Sequence, residues 1–195
     1  MLVMIYPVLV ALIGVTLLAQ QAGWRLWTGC ALCFGGIALM SMHRYSGQSD
    51  WTGNTMALGA AVFYAVSFLI TAELSRRHDA AMVAFWESLG ATLGTLPLAV
   101  AEPHFLPRTA QDWGFMMVYA VLTLISLLAL NRALRVLPTA MAATLGYGMP
   151  VLATIFAVLI FSEWPSVMAL AGGAVIVCGL VLTTRDKSGQ AAAPA

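Results

Sequence analysis

Charge is what this chain lacks most. Only 9% of its 195 residues are Asp, Glu, Lys or Arg, against roughly 25% in an ordinary soluble domain. Hydrophobic residues make up 61%, so there is too little polar surface for a water-soluble fold. The net charge of +1 leaves no basic footprint for nucleic acid, and no basic, aromatic-lined surface is present. Cysteine is scarce too: Cys30, Cys33 and Cys178 all fall inside apolar runs. The Cys30–Cys33 spacing is metal-like, but without further ligands the pair reads as small, buried, unpaired thiols. His43, His78 and His104 lie at or near loops and assemble no metal site. Ser75 and Ser162–Glu163 have no histidine partner in the same predicted layer. A GxxxxGK phosphate loop is missing, which speaks against direct ATP use. No catalytic constellation, metal or cofactor is expected.

What the chain has in abundance is long apolar runs. Each is about the 20 residues that a helix needs to cross a hydrocarbon core. The runs predict seven spans, at 1–19, 24–42, 55–74, 81–100, 113–131, 139–161 and 166–184. The expected fold is an all-α integral membrane protein, a helical bundle of seven transmembrane spans. The first run is structural rather than a signal peptide. It has no basic n-region, contains Pro7 and Gly14, and is followed by Gln20–Gln21 instead of small residues. Trp51, Trp113 and Trp164 sit near predicted ends, where amphipathic aromatics meet the interface. Arg25, Arg76, Arg77, Arg132, Arg135, Arg185 and Lys187 fall on one set of connections, and only Arg44 and Arg108 on the other. Basic short loops mark the cytoplasmic side, so the C-terminus is expected inside and the N-terminus outside. Residues 185–195, ending in Ala and Pro, read as a disordered cytoplasmic tail.

The chain also repeats itself. A gapless shift of 143 residues aligns IYPVLVALIGVTLLAQQAGWRLWTGCALCFGGIALM, Ile5 to Met40, with the stretch that begins at Gly148. It equates Pro7 with Pro150, Gly29 with Gly172, Ala31 with Ala174 and Gly36 with Gly179. A period this long points to a duplicated multi-helix unit rather than a solenoid.

Three linked stretches then resemble a family: NTMALGAAVFYAVSFLITAELSRR at 54–77, ALNRALRVLPTAMAATLGYGMPVLATIFAVLIFSEW at 129–164, and GLVLTT at 179–184. They are similar to the EamA-type transporters of the drug/metabolite transporter superfamily, typically ten-helix inner-membrane proteins built from two five-helix repeats. By this resemblance residues 51–184 form a complete second repeat, and residues 1–50 the last two helices of a first. Met1 corresponds to Thr144, inside the sixth span, so about 90 further residues would complete the family pattern at ordinary span lengths. Either upstream sequence supplies them or a shortened chain works by association, as a homodimer or with a partner carrying the missing helices. The resemblance implies secondary transport, outward, of small organic metabolites such as amino acids or drugs. The alternative is a non-transporting membrane assembly subunit or an inactive truncated fragment. The expected partners are a small-molecule substrate and the lipid bilayer.

Glu87, in AMVAFWESLGATLG, is the most informative side chain. An ionised carboxylate is costly in hydrocarbon, so it is expected to face the bundle interior or to be protonated. Substrate binding, proton coupling and helix locking are the functional readings; a carboxyl near the inner interface is the plain one. Tyr64 and Ser67 fall one turn apart on the third span, and Tyr119, Thr123 and Ser126 form a polar strip on the fifth. Gly146, Gly148 and Pro150 interrupt the sixth span, Pro7 is the repeat counterpart of Pro150, and Tyr147 can supply an aromatic wall. Broken helices line substrate sites in transporters, although Gly and Pro are also common in membrane helices without binding duty. Glu87, Tyr64, Ser67, Tyr119, Thr123 and Tyr147 are therefore the candidate cavity lining. Glu73 stands four residues before Arg77, the spacing of an interfacial ion pair. By the resemblance Glu163 is a structural loop anchor, with Gln20 its repeat partner, and Arg132, in NRAL, a headgroup anchor. Family members can carry an acidic residue just before Pro150; here Met149 and Tyr6 hold the two equivalent positions, which speaks against a cationic substrate.

Overall fold

The computed structural model describes residues 2–17, 23–42, 51–101, 107 and 109–185. Gln20, His43, Arg44, His104, Arg108, Lys187 and the tail after Arg185 lie outside the described residues. Every regular element among those described is helical. A 3-10 turn, Leu2–Ile5, leads into α1 (Tyr6–Leu17), followed by α2 (Trp24–Met42), α3 (Trp51–Arg77), α4 (Ala80–Ala101) and α5 (Ala110–Val136). The sixth expected span is divided into α6 (Thr139–Leu145) and α7 (Met149–Phe161) by a 3-10 turn at Gly146–Gly148, and α8 (Val167–Thr184) closes the chain.

Five of these segments are long and apolar enough to cross a membrane: Trp51–Arg77, Ala80–Ala101, Ala110–Val136, Thr139–Phe161 and Val167–Thr184. That count is of the described residues, and the first two expected spans, 1–19 and 24–42, border residues outside them. Within α1 the described apolar stretch is Tyr6–Val15. The 19 residues of α2 begin with Trp24 and Arg25 and continue as an apolar run to Met42. The helix ends follow local chemistry. Thr109 and Asp112 form a capping box at α5: the Asp112 N–H donates to Thr109 Oγ1 and the Thr109 N–H to Asp112 Oδ2, both at 3.1 Å. Asp79 accepts from the Ala81 N–H at 3.0 Å before α4, and Ser166 accepts from the Ala169 N–H at 3.2 Å to cap α8. At the end of α7, Ser162 takes a left-handed conformation with φ 56°. There the N–H groups of Ser162 and Glu163 return to Val158 and Ala157 carbonyls.

The chain divides into two compact units: Met1–Ile70 with Leu137–Ala195, and Thr71–Val136. The first is held by α2 against α8, and glycine makes that approach possible. A methyl group on Gly36 would lie 2.6 Å from the Gly172 carbonyl oxygen, and one on Gly179 would lie 2.8 Å from that of Gly29. Gly29 in turn faces Gly179 and Thr183, while Gly172 faces Gly36 and Met40. Position rises along α2 as it falls along α8, so the two helices are antiparallel. Cys33 Sγ donates to the carbonyl of Ile176 at 3.5 Å, and these two residues are themselves 143 apart. At one end of the pair, Arg25 Nη1 donates to the Arg185 carbonyl at 3.2 Å, a cation placed on a helix C-terminus. A second cluster, Ala11, Leu26, Cys30, Ala140 and Met141, packs α1 and α6 on α2.

The second unit joins the end of α3 to α4 and α5 around buried Ala72, Ala80, Val83, Ala84 and Leu134. Outside that core its helices present large apolar side chains, among them Leu93, Leu98, Phe115 and Leu122. This is the arrangement of helices whose solvent is hydrocarbon.

Candidate functional site

The carboxylate of Glu87 is gripped from two helices. Thr71 Oγ1 on α3 donates to Oε1 at 2.7 Å, and Asn131 Nδ2 on α5 donates to Oε2 at 3.2 Å. Ser75, one turn after Thr71, donates to Asn131 Oδ1 at 3.4 Å. Asn131 and Ser75 are fully buried, Thr71 nearly so, and Glu87 itself is half-buried. Within hydrocarbon each of these groups would be costly alone; together they satisfy one another. All four belong to the Thr71–Val136 unit.

An aromatic group occupies the other unit. The rings of Tyr6 and Tyr64 meet edge-on with centroids 4.6 Å apart, and Phe68 stands 6.2 Å from Tyr6. The Tyr6 hydroxyl lies against Gly146, where a β-carbon would collide with it. The 3-10 turn is thus bordered by an aromatic hydroxyl. Its backbone stays right-handed, with φ, ψ of −57°, −24° at Gly146 and −68°, −20° at Gly148. Pro150 begins α7, where its missing N–H costs little, and Pro7 is fully buried in α1.

Of the other expected lining residues, Tyr147 is enclosed by Cys33, Ile37 and Ile176. Its hydroxyl is the one buried side-chain polar atom without a hydrogen-bond partner among the described residues. Tyr64 and Ser67 are exposed on α3, and Tyr119 and Thr123 are exposed on α5. Glu73 accepts from Arg77 at 2.6 Å on the surface. Glu163 contributes its backbone to the end of α7 and exposes its side chain. Sequence reading passed over Thr71, treated Ser75 only as a nucleophile without a base, took Asn131 for a helix end, and gave Tyr6 no role. A signal did exist: Ser67, Thr71 and Ser75 repeat at four-residue steps, and Asn131 continues the Tyr119–Thr123 strip by two further turns. Among the described residues no three His, Cys, Asp or Glu side chains gather to hold a metal ion. Cys30 meets Thr144 Oγ1 at 3.1 Å, and the cysteines are unpaired.

Residues 51–185 match the EamA-like transporter family. The chain is similar to the pseudopaline exporter of Pseudomonas aeruginosa, 27% identical over 163 residues that make up 84% of this chain and 56% of that protein. It is also similar to a protein of Streptantibioticus cattleyicolor named "probable terminal-alkyne amino-acid exporter", 27% identical over 195 residues, 97% of this chain and 64% of that one. The chain thus spans 56% to 64% of the length of these relatives. No solved structure matches it significantly. The family match, covering all five membrane-length helices, fixes the assignment: this multi-pass membrane protein belongs to the EamA-like transporter family.

Proposed function

We propose that the chain acts in secondary transport, exporting small organic metabolites of amino-acid character, with Glu87 as a functional carboxylate and the proton as coupling ion. The observation that carries this reading is a half-buried carboxylate on α4 held by side chains of α3 and α5 within a family of transporters. Structural locking alone needs no ionisable group, since apolar residues pack membrane helices without the desolvation cost of a carboxylate. The names of both relatives, exporters of pseudopaline and of a terminal-alkyne amino acid, support export and the substrate class. Transport would proceed by alternating access to a site near the midplane.

The same reading includes seven crossings and a duplicated, inverted unit. Antiparallel α2 and α8 require an even number of crossings between them, and α3, α4, α5 and α6–α7 make four. The reciprocal glycine contacts of α2 and α8 support the duplication, because equivalent faces meet as in a two-fold interface. Arg25 and Arg185, joined at one end of that pair, support a cytoplasmic C-terminus.

The test is counterflow of labelled L-amino acids in proteoliposomes, with and without an imposed pH gradient. Glu87→Gln is expected to abolish the response to the gradient. Flux and gradient dependence that survive the substitution unchanged would remove Glu87 from the mechanism.

A further inference from the structure

We infer that Asn131 and Ser75 are positioning residues for Glu87, and that Thr71 is the hydroxyl through which one site holds the carboxyl group in both of its charge states. This rests on the proposed reading of Glu87 as a functional carboxylate and deepens it.

The direction of each hydrogen bond is dictated by chemistry. An ionised carboxylate only accepts, so Asn131 must turn its amide nitrogen towards Glu87 Oε2. That orientation points Oδ1 at Ser75, whose hydroxyl donates to it. A flipped amide would set two acceptors against each other and turn its nitrogen away from the carboxylate. Ser75 therefore acts on Glu87 through Asn131 without touching it. Asn131 and Ser75 are sealed from the surroundings while Glu87 is half-buried, so the fixed end of the network lies inside and the carboxyl at its mouth.

Thr71 differs in kind, because a hydroxyl can give or take a proton-bearing contact. With Glu87 ionised it donates to Oε1 at 2.7 Å. When a proton is added at Oε1, the new O–H donates back to Thr71 Oγ1, and the threonine hydrogen turns away from the carboxyl. Oε2 remains an acceptor for Asn131. One proton enters, and both states keep two hydrogen bonds on the carboxyl. Among the described residues the other charged or titratable groups of these helices and their connections are Tyr64, Glu73, Arg76, Arg77, His78, Asp79, Asp112, Tyr119, Arg132 and Arg135. Glu73 is taken up by Arg77, and the hydrogen bonds on Glu87 come from the uncharged Thr71 and Asn131.

Infrared difference spectroscopy of the chain in lipid nanodiscs reads this directly. Subtracting Glu87→Gln from wild type isolates the Glu87 carboxylate bands at high pH and its carboxyl carbonyl band at low pH. Asn131→Leu is expected to shift the carboxylate bands. Ser75→Ala should shift them in the same sense although Ser75 does not touch Glu87, and Ser75→Thr should restore them. Thr71→Val should move both the carboxylate and carbonyl bands, and Thr71→Ser neither. Bands indifferent to Asn131→Leu and Ser75→Ala in folded protein, checked by thermal melting, would overturn the positioning role. A carbonyl band unmoved by Thr71→Val would overturn the role of Thr71. In L-amino-acid counterflow, Asn131→Leu and Ser75→Ala are expected to lower maximal rate by about tenfold to a hundredfold, the usual cost of a misplaced functional group, with a smaller change in KM. Variants that show the band shifts beside a wild type that transports no L-amino acid sink the transporter reading and leave the positioning intact. Transport with variants at wild-type rates sinks the positioning instead.

Discussion

Tyr147 and Tyr6 show how differently two tyrosines beside one helix turn behave. The Tyr147 hydroxyl is buried without a partner among the described residues, so there it contributes a desolvation cost and no bond. Tyr147→Phe keeps the ring packed on Cys33 and Ile176 and is expected to raise stability by about 1 kcal/mol, measured by thermal unfolding in detergent. A clear loss would show that the hydroxyl has found a partner. Tyr6 sits where Gly146 has no side chain. Gly146→Ala is therefore expected to cost about 1–3 kcal/mol through overpacking. Most of that loss should return in the double variant with Tyr6→Phe, because the ring carbon beneath the hydroxyl is 3.6 Å from the added methyl position, an ordinary contact. Equal losses with and without the hydroxyl would disprove the contact. At Glu87 the sequence was legible in part. A carboxylate amid AMVAFWESLG announces itself by cost alone, whereas Thr71, Ser75 and Asn131 are unremarkable polar residues until folding places them within 3.4 Å of one another or of Glu87.

At the scale of the element, the seam between α2 and α8 has a symmetry that makes a testable statement. Gly36 and Gly179 are equivalent under the 143-residue shift, and a methyl on either would press within 2.8 Å of a facing backbone carbonyl. Gly36→Ala and Gly179→Ala are thus expected to destabilise by similar amounts, about 1–3 kcal/mol each. Gly35→Ala and Gly173→Ala, with nothing among the described residues within 4 Å, should be neutral or slightly stabilising as better helix formers. Melting curves that rank Gly35 with Gly36 would refute close packing of this face. The C-terminus of α7 offers a second case: Ser162 at φ 56° pays for a left-handed conformation that glycine adopts freely. Ser162→Gly is expected to add about 1 kcal/mol, and a drop in melting temperature would contradict the assigned turn. The helix boundaries were largely readable, since apolar runs, caps and arginines all act locally. The 3-10 turn at Gly146–Gly148 was readable as an interruption, yet its right-handed backbone was not, because glycine permits several geometries and neighbours select one.

For the molecule as a whole, the proposed orientation predicts which ends share a compartment. Cysteines placed at Arg25 and Arg185 should both react with a membrane-impermeant maleimide only from the cytoplasmic side, since those residues meet at one end of the α2–α8 pair. Cysteines at Trp51 and Trp164, exposed residues near opposite-side ends, should react only from outside. Labelling of Arg25 and Arg185 positions from different sides would break the antiparallel, seven-crossing topology. What the sequence by itself determined is what depends on composition and short spacing: a membrane solvent, helical segments, their ends, the glycine faces and the family. These follow from transfer energies and backbone chemistry that each residue carries with it. The tertiary structure alone decided which polar groups meet. It closed Thr71, Ser75 and Asn131 around Glu87 and set Gly29 against Gly179. It enclosed Tyr147 while leaving Tyr119 and Thr123 exposed. Helical periodicity fixes the face of a helix on which a residue stands, but the partner across from it depends on how separate helices pack, and that information is distributed over the whole chain.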